Sequence, residues 1–432
     1  MRWKRIVLTI CVLACCTVPV VAQDLSRLNR PEDMGFSRER LGRITKFFEG
    51  DVEKGAIPGA VLLVVRDGKL VYRQTVGYQD REKRIAITPD AIFRIASMSK
   101  PITSVAVMML AEEGKIDLIA PVAQYLPEFK DVKVGVEKAE SSTGKTVLAF
   151  EDPKRPMTVQ DLLRHTSGLV YGPFGNSLVH QAYNKANLLD GSQTLAEFVT
   201  KLSKLPLAHQ PGRVWEYGMS TDVLGRIVEV VSGMAFDQFV EQRITGPLGM
   251  RDTGFYLSGA QGSRLAEPQI DPATGKRPGA SAAEDLTKEK VKWFSGGGGL
   301  LSTASDYARF CQMLLNRGEL NGVRLLAPKT IAVMTSDQVP PGVARAGGYE
   351  DMAPTPEMGH SFGLGFAVRT DPGHSPLSGS VGEYFWAGAY GTYFWVDPQE
   401  KMFAVMMVQM PFPQSGPYRR AMRELVYGAL VR

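Results

Sequence analysis

The order of the predicted elements constrains the fold of this chain more than any other feature. Strand-like runs lie near both ends, at 59–80 and 362–410, and the part between them contains short helical patterns closed by Gly or Pro. Such an order favours a sheet built from both ends with helices inserted between the strands. We predict an α/β domain from 23–116 and 291–432 and a mainly helical domain from 117–290. A ligand site is expected at the seam between the two.

Local patterns give the expected boundaries of several elements. An amphipathic helix is predicted over 37–50, closed by Gly50, and a hairpin is predicted around the Asp67-Gly68 turn. The polar stretch 131–156 interrupts the helical pattern and is interpreted as an insertion loop or a small hairpin. The run Gly296–Gly299 is not followed by the GK[ST] of a phosphate loop, so we predict a tight turn near the cleft.

The stretch "FRIASMSKPITSVAVMMLAEEGK" at 93–115 places a serine and a lysine at the start of an apolar helix. Ser97 and Lys100 are three residues apart, close to one helical turn, so both side chains share a face. A second S-x-x-K, Ser142 to Lys145, lies in a polar, glycine-containing loop with no helix behind it. We interpret that second copy as a chance match.

The spacing of Ser97 and Lys100 suits nucleophilic catalysis. A serine hydroxyl is a poor nucleophile until a neighbouring base removes its proton, and a lysine in a dry cleft can assist that base. The free N–H groups and positive field of a helix N-terminus favour an oxyanion. On their own, however, the two residues are equally compatible with a helix cap and a solvent-facing lysine.

The N-terminus has the pattern of an export signal. Basic "MRWKR" precedes an apolar run, and "VVA" offers cleavage after Ala22, which predicts a signal peptide at 1–22. The mature protein is then expected to be periplasmic or secreted, with no stable membrane span. A lipid anchor at Cys15, within "VLAC", is a minor alternative because the residues after it stay apolar.

Charge and cysteine content exclude several classes of function. Removing 1–22 removes three positive charges and no acid, so the formal charge falls from +5 to +2. We expect no nucleic-acid partner for so nearly neutral a chain. Cys311 is the one cysteine outside the signal, so the fold has no internal disulfide. The five histidines form no HExxH or similar cluster, and no metal site is expected.

Three further stretches relate the chain to a known family. S-x-x-K is a signature of class A β-lactamases and penicillin-binding proteins. "WEYGMSTDVLGRIVE" at 215–229, "GEYFWAGAYGTYFWVDP" at 382–398 and "MTVQDLLRHTSGLVYG" at 157–172 follow in order. From about 36 to 428 the chain resembles the serine β-lactamase superfamily, and in particular the class C β-lactamase-like esterases, or family VIII carboxylesterases. The resemblance implies an α/β plus all-α architecture, the β-lactamase/penicillin-binding-protein-like fold, with an antiparallel sheet flanked by helices and an inserted helical domain.

The resemblance also implies the roles of individual residues. Ser97 would be the nucleophile, and Tyr217 would be the general base working with Lys100. The oxyanion hole would be formed by the N–H groups of Ser97 and Ala389. No metal or organic cofactor is implied.

Two positions depart from the pattern of true β-lactamases. Trp386, followed by Ala387 and Gly388, stands where β-lactamases carry the lysine of a Lys-Thr-Gly triplet. Met219 stands where they carry an asparagine that holds the acylamino chain of the substrate. Trp386, Gly388 and Met219 are therefore expected to bind substrate, and the two departures favour an uncharged acyl or alkyl group.

These observations predict an exported serine carboxylesterase that acts on a small-molecule ester or amide, with short-chain acyl esters as the expected substrates. The one G-x-S-x-G pentapeptide, "GHSFG" at 359–363, runs into the strand-like segment 362–371 and not into a helix, which argues against the nucleophile elbow of a classical α/β-hydrolase. A β-lactamase, a D-amino-acid peptidase or a transacylase on the same scaffold stays open, as does weak β-lactam cleavage beside esterase activity. A non-catalytic protein that binds cell-wall fragments is the alternative from another class. We expect a monomer.

Overall fold

The computed structural model describes residues 23–140, 144–271, 274–277, 291–346, 356–411 and 414–432. The predicted export signal at 1–22 lies outside the described residues. None of the helices in these ranges has both the length and the apolar composition that a membrane span requires.

Helices and strands are numbered here in chain order. The helices are α1 (Arg38–Glu53), α2 (Ser99–Glu112), α3 (Val159–Leu163), α4 (Leu178–Lys185), α5 (Leu195–Leu202), α6 (Ser220–Ser232), α7 (Phe236–Val240), α8 (Gly246–Leu248), α9 (Ala304–Leu315), α10 (Pro328–Met334) and α11 (Gly416–Tyr427). The strands are β1 (Gly59–Arg66), β2 (Lys69–Asp80), β3 (Ile85–Ala86), β4 (Phe93–Arg94), β5 (Val134–Ala139), β6 (Thr146–Glu151), β7 (Val214–Trp215), β8 (Leu301–Ser302), β9 (Glu319–Leu320), β10 (Val323–Arg324), β11 (Ala344–Arg345), β12 (His360–Phe362), β13 (Ala367–Arg369), β14 (Tyr384–Ala387), β15 (Tyr393–Asp397) and β16 (Met402–Val408).

The two ends of the chain form one antiparallel sheet, as the order of elements predicts. Its strand order is β12-β13-β14-β15-β16-β1-β2-β3. The join between the two ends is the antiparallel pair β1 and β16, in which Ala60 lies opposite Val408 and Arg66 lies opposite Met402. The Asp67-Gly68 turn connects β1 to β2, and both turn residues have positive φ, which a tight hairpin turn requires.

Both faces of the sheet are covered, which explains why β1 reads as an unbroken apolar run. Successive side chains of a strand point to opposite faces. Leu62 and Val64 belong to the core under α1 and α11, whereas Leu63 and Val65 belong to the larger core that includes α2 and α9. Burial on both sides removes the apolar-polar alternation of a half-exposed strand.

The helices α3 to α8 lie between the two sheet-forming parts of the sequence. Within this middle part α6 packs against α3, α5 and α7, and it also packs against α2 from the N-terminal part. The stretch at 131–156 forms the antiparallel hairpin β5–β6, one of the two forms expected for it. The domain boundaries at 116/117 and 290/291 stay a prediction.

The first helix extends beyond its predicted end. Helix α1 continues through Gly50 to Glu53, and a Cβ at Gly50 would have no atom within 4 Å. The chain instead leaves the helix near Gly55, whose φ of +77° is the left-handed conformation that ends many helices. The prediction that Gly50 closes the helix is therefore wrong, because glycine inside a helix costs only about 1 kcal/mol.

A buried carboxylate organises the start of α3. Asp161 is fully buried and accepts hydrogen bonds from Arg155 Nη1 at 2.5 Å, Arg164 Nη2 at 3.0 Å and Thr166 Oγ1 at 2.8 Å. It also accepts from the Thr158 N–H at 3.0 Å and closes a capping box. Burial alone would raise the pKa of Asp161, but these donors lower it from 3.8 to about 2.

This carboxylate is expected to make stability depend on acid pH. Because the pKa in the folded state lies below that in the unfolded state, the stabilisation is complete above about pH 4 and is lost as pH falls through 2. The shift corresponds to about 2 kcal/mol. Urea unfolding at pH 5 and pH 3 should show a smaller pH-dependent loss in Asp161→Asn than in wild type. The control Asp152→Asn, at an exposed carboxylate, should follow wild type, and equal slopes in all three proteins would refute the assignment.

Candidate active site

Ser97 lies in a strained turn between β4 and α2. The turn is a 3-10 segment, Ala96–Met98, and Ala96 has a φ of +45°, an uncommon conformation for a residue other than glycine. Ser99 holds the turn, since its Oγ donates to Ala96 O at 2.7 Å and accepts from Leu300 N at 3.0 Å. Strain of this kind persists only where the surroundings fix the backbone, and it is common at functional sites. Ser97 therefore occupies a fixed position immediately before α2.

Lys100 connects the serine to the aromatic side of the site. Its Nζ donates to Ser97 Oγ at 3.2 Å, Tyr171 Oη at 3.3 Å and Gly297 O at 2.6 Å. Lys100 is 1% exposed, and its Nζ lies 4.6 Å from the ring centroid of Tyr217. Oxygen dipoles and an aromatic face thus surround the amine, and both favour a buried cation.

Tyr217 lies between β7 and α6 and is held from two sides. Its ring centroid is 4.9 Å from that of His165 and 5.3 Å from that of Trp386. Burial, and then the charge of Lys100, lower the pKa of His165 well below its usual value. The neutral imidazole accepts a 3.4 Å hydrogen bond at Nδ1 from the Gly218 N–H. His165 therefore fixes the backbone and the ring plane of Tyr217.

A glycine turn supplies the backbone acceptor for Lys100. Gly296–Gly299 passes Asp222, whose Oδ1 accepts from Ser295 Oγ at 2.5 Å and from Gly297 N at 3.2 Å. A Cβ at Gly297 would collide with the Asp222 carboxylate, so the turn requires glycine there. Burial raises the pKa of Asp222, and the charge of Lys100 opposes that rise. The predicted tight turn near the cleft is confirmed.

Sequence reasoning missed two residues of this constellation. Tyr171 accepts a hydrogen bond from Lys100. Asp222 holds the glycine turn, whose Gly297 carbonyl accepts another hydrogen bond from Lys100. Both lie inside motifs that were already recognisable, Tyr171 in "HTSGLVYG" and Asp222 in "YGMSTD". The motifs were the available signal, but only the folded chain shows which side chains face Lys100.

The end of β14 approaches the strand that precedes Ser97. Gly388 N donates to Thr392 O at 2.8 Å, and Thr392 Oγ1 donates to Ile95 O at 3.2 Å. A Cβ at Gly388 would collide with Ile95 O and Thr392 Oγ1. Glycine is therefore required for this approach, which brings the next residue, Ala389, to the rim of the cleft.

These elements enclose a cavity of about 400 Å³. Ser97, Tyr217 and Ala389 line it, whereas Trp386, Gly388 and Met219 are not among its lining residues. Most of the remaining wall is apolar. Its larger apolar and aromatic side chains include Tyr171, Phe174, Leu189, Phe255, Val291 and Trp293.

Two of the residues that line the cavity have acidic or basic side chains. One is Asp222, and the other is Arg94, which donates to Ala266 O at 3.0 Å and lies 3.7 Å from Glu267. Asp222 is engaged by Ser295 and Gly297, as described above. Across the described ranges, no group of three or more His, Cys, Asp or Glu side chains could hold a metal ion.

Comparison with known families gives a match across most of the chain. The beta-lactamase family matches residues 44–428. The chain belongs to the beta-lactamase family.

Relatives within this family include named esterases. Protein Rv1367c of Mycobacterium tuberculosis is 35% identical over 361 residues, which cover 83% of this chain and 87% of that protein. Esterase EstB of Burkholderia gladioli is 30% identical over 408 residues, covering 89% and 94%. The structure of EstCE1, a hydrolase with promiscuous acyltransferase activity, gives a TM-score of 0.73 at 26% identity and covers 90% of this chain and 99% of that one. The chain is thus an esterase-like member of the serine β-lactamase superfamily, and the expected β-lactamase/penicillin-binding-protein-like fold is confirmed.

The two positions that depart from the β-lactamase pattern, Trp386 and Met219, carry apolar side chains that pack in the core of this beta-lactamase-family protein. Trp386 and Met219 are each 2% exposed, and the Trp386 ring contacts Tyr217 and Phe362. Neither position offers a cation or an amide to a substrate. The side of the Tyr217 ring that faces Trp386 is therefore aromatic.

Proposed function

We propose that the protein is an exported serine carboxylesterase that cleaves short-chain acyl esters through an acyl-serine intermediate. The observation that carries this proposal is the buried Lys100, whose Nζ lies 3.2 Å from Ser97 Oγ and 4.6 Å from the ring centroid of Tyr217. An amine so placed can hold the serine oxygen in position and stabilise negative charge on the tyrosine.

In the proposed first step, Tyr217 acts in its phenolate form beside the Lys100 cation. Ser97 Oγ attacks the carbonyl carbon of the ester while its proton passes to the phenolate oxygen of Tyr217. The carbonyl oxygen becomes an oxyanion and accepts hydrogen bonds from the N–H groups of Ser97 and Ala389. The intermediate then collapses, the carbon–oxygen bond to the alcohol breaks, and the alkoxide takes the proton back from Tyr217. Ser97 is left as an ester.

In the proposed second step, water replaces the alcohol. The water oxygen attacks the acyl carbon while Tyr217 accepts a proton from the water. A second oxyanion then forms in the same oxyanion hole. Collapse breaks the bond to Ser97 Oγ, which recovers its proton from Tyr217. No co-reactant other than water is needed, and an added alcohol in place of water would give a new ester. The similarity to EstCE1, a hydrolase with promiscuous acyltransferase activity, supports this transfer as a side reaction.

The substrate is proposed to be small and uncharged at the acyl group. The apolar wall includes Phe174, Phe255 and Trp293, and a cavity of about 400 Å³ holds a short acyl chain with a small or aromatic alcohol. Trp386 in place of a lysine supports rejection of carboxylate-bearing substrates. Export to the periplasm or medium is supported by the pattern at 1–22, and the expected mature form is a monomer starting at Gln23.

The test is a comparison of acyl donors under one set of conditions. For p-nitrophenyl esters we expect kcat/KM to be highest at two to four acyl carbons and to fall by about tenfold or more by twelve. Nitrocefin should be cleaved at least about 100-fold less efficiently than the butyrate ester, because Trp386 and Met219 lack the polar groups that hold a β-lactam. Faster nitrocefin than ester turnover would instead establish a β-lactamase, and a maximum at long chains would reject the short-chain specificity.

A further inference from the structure

The C-terminal helix brings an arginine to the backbone beside the cleft. Arg419, in the first turn of α11, is 5% exposed, and its Nη2 donates to Gly388 O at 2.7 Å. Gly391 N donates to the same oxygen at 3.0 Å. Two donors thus occupy Gly388 O, one of them a charged group, and charged donors form the stronger hydrogen bonds.

This contact fixes the direction of the next N–H group. In a planar trans peptide the C=O of one residue and the N–H of the following residue point in opposite directions. Gly388 O points towards Arg419, inside the protein, so the N–H of Ala389 points the other way. Ala389 and Ser97 line the same cavity, whereas Arg419 is not among its lining residues.

We propose that Arg419 is a positioning residue for the oxyanion hole. It holds the Gly388–Ala389 peptide in the orientation that directs the Ala389 N–H at the reacting carbonyl oxygen. The inference rests on the proposed function, in which the N–H groups of Ser97 and Ala389 stabilise the oxyanion. A guanidinium on the carbonyl side also polarises the peptide, which makes its N–H a stronger donor at the moment charge develops.

The position of Arg419 is itself fixed by an ion pair one turn further along α11. Arg423 forms a buried ion pair with Glu383, the residue directly before β14, and its Nε donates to Ser378 O at 2.6 Å. Tyr427 Oη donates to Glu383 Oε2 at 3.0 Å. Helix α11 is therefore anchored at the start of the same strand whose end carries Gly388. This network limits movement of α11 relative to the strand that leads to Gly388.

The test uses Arg419→Met, Arg419→Lys and the control Arg420→Met, which removes an exposed arginine from the same turn of α11. For Arg419→Met we expect kcat for p-nitrophenyl butyrate to fall about 10- to 100-fold while KM changes less than about threefold. Arg419→Lys should recover part of the loss, because an ammonium can still donate to Gly388 O. Arg420→Met should match wild type.

A transition-state analogue separates positioning from a general loss of structure. Phenylboronic acid adds to Ser97 and places a boron-bound oxygen in the oxyanion hole, so its Kd should rise by the same factor by which kcat falls. A wild-type-like kcat in Arg419→Met, in an enzyme that cleaves the ester, overturns the role of Arg419 and leaves the esterase proposal standing. A lower kcat with unchanged boronate affinity in both Arg419 variants also overturns it. Wild type that is folded but inactive on every ester overturns both proposals.

Discussion

Replacing Ser97 with alanine is expected to lower ester turnover by about 10⁴-fold or more, because no other hydroxyl can take its place as the nucleophile. The position of Ser97 is not interchangeable with that of a neighbour. Ser99 is committed to the backbone, through Ala96 O and Leu300 N, and Thr103 Oγ1 donates to Gly296 O at 2.8 Å. Folding should be little affected, since Ser97 is half-buried and the deletion removes one hydroxyl.

The measurement is intact-protein mass spectrometry after reaction with a fluorophosphonate, together with steady-state ester hydrolysis. One adduct is expected in wild type, on Ser97, and none is expected in Ser97→Ala. In the same spectra, cleavage of the predicted export signal should give a mass that corresponds to a start at Gln23. The matched control is Ser142→Ala, which removes the serine of the second S-x-x-K. Ser142 lies outside the described residues, and its loss should leave labelling and turnover unchanged. Labelling that persists in Ser97→Ala, or folded wild type that is never labelled, would contradict the assignment.

The sequence is sufficient to predict the sheet and the pair Ser97 and Lys100 because both depend on local patterns. β1 and β16 are apolar runs of strand length, and the helix after Ser97 has a wide apolar face. The pairing of these two strands follows from the need to bury both, which makes a sheet from the two ends the favoured arrangement. Periodicity of this kind can be recognised in the sequence without knowledge of the three-dimensional contacts.

The end of α1 shows where local signals fail. A glycine marks a helix end only when its backbone must become left-handed, and Gly50 keeps a helical conformation because the helix is stabilised by packing on the sheet. Gly55 and Gly50 are equally plausible ends in the sequence. Only the tertiary packing of α1, with Phe48 and Val52 both buried, selects the later one.

The same limit applies to the candidate site. Ser97, Lys100 and Tyr217 belong to separate motifs whose spacing has a chemical reason, so the sequence can nominate them. Tyr171 and Arg419 contribute through contacts across 71 and 31 residues of chain, to Lys100 and Gly388. No local pattern distinguishes Arg419 from Arg420 beside it, and only the orientation of α11 makes Arg419 face Gly388.

Replacing Lys100 with methionine is expected to lower kcat/KM for esters by about 10³- to 10⁴-fold while the protein stays folded. The variant keeps the length and apolar stem of the side chain but removes the donor to Ser97 Oγ and the positive charge beside the Tyr217 ring. Without that charge, nothing stabilises the negatively charged tyrosine oxygen that must accept the serine proton, so the barrier to acylation rises.

The stability of Lys100→Met is expected to change by less than about 2 kcal/mol, because two effects oppose each other. Removing a buried cation relieves its desolvation, whereas Gly297 O loses its 2.6 Å donor. Urea unfolding measures this change, and the rate of fluorophosphonate labelling should fall in parallel with turnover. Lys115→Met, which removes an exposed lysine just beyond the end of α2, is the matched control and should leave both rates unchanged. Activity within tenfold of wild type in Lys100→Met would show that the serine is activated without the lysine, and Tyr217 would then have to act as base without a neighbouring charge.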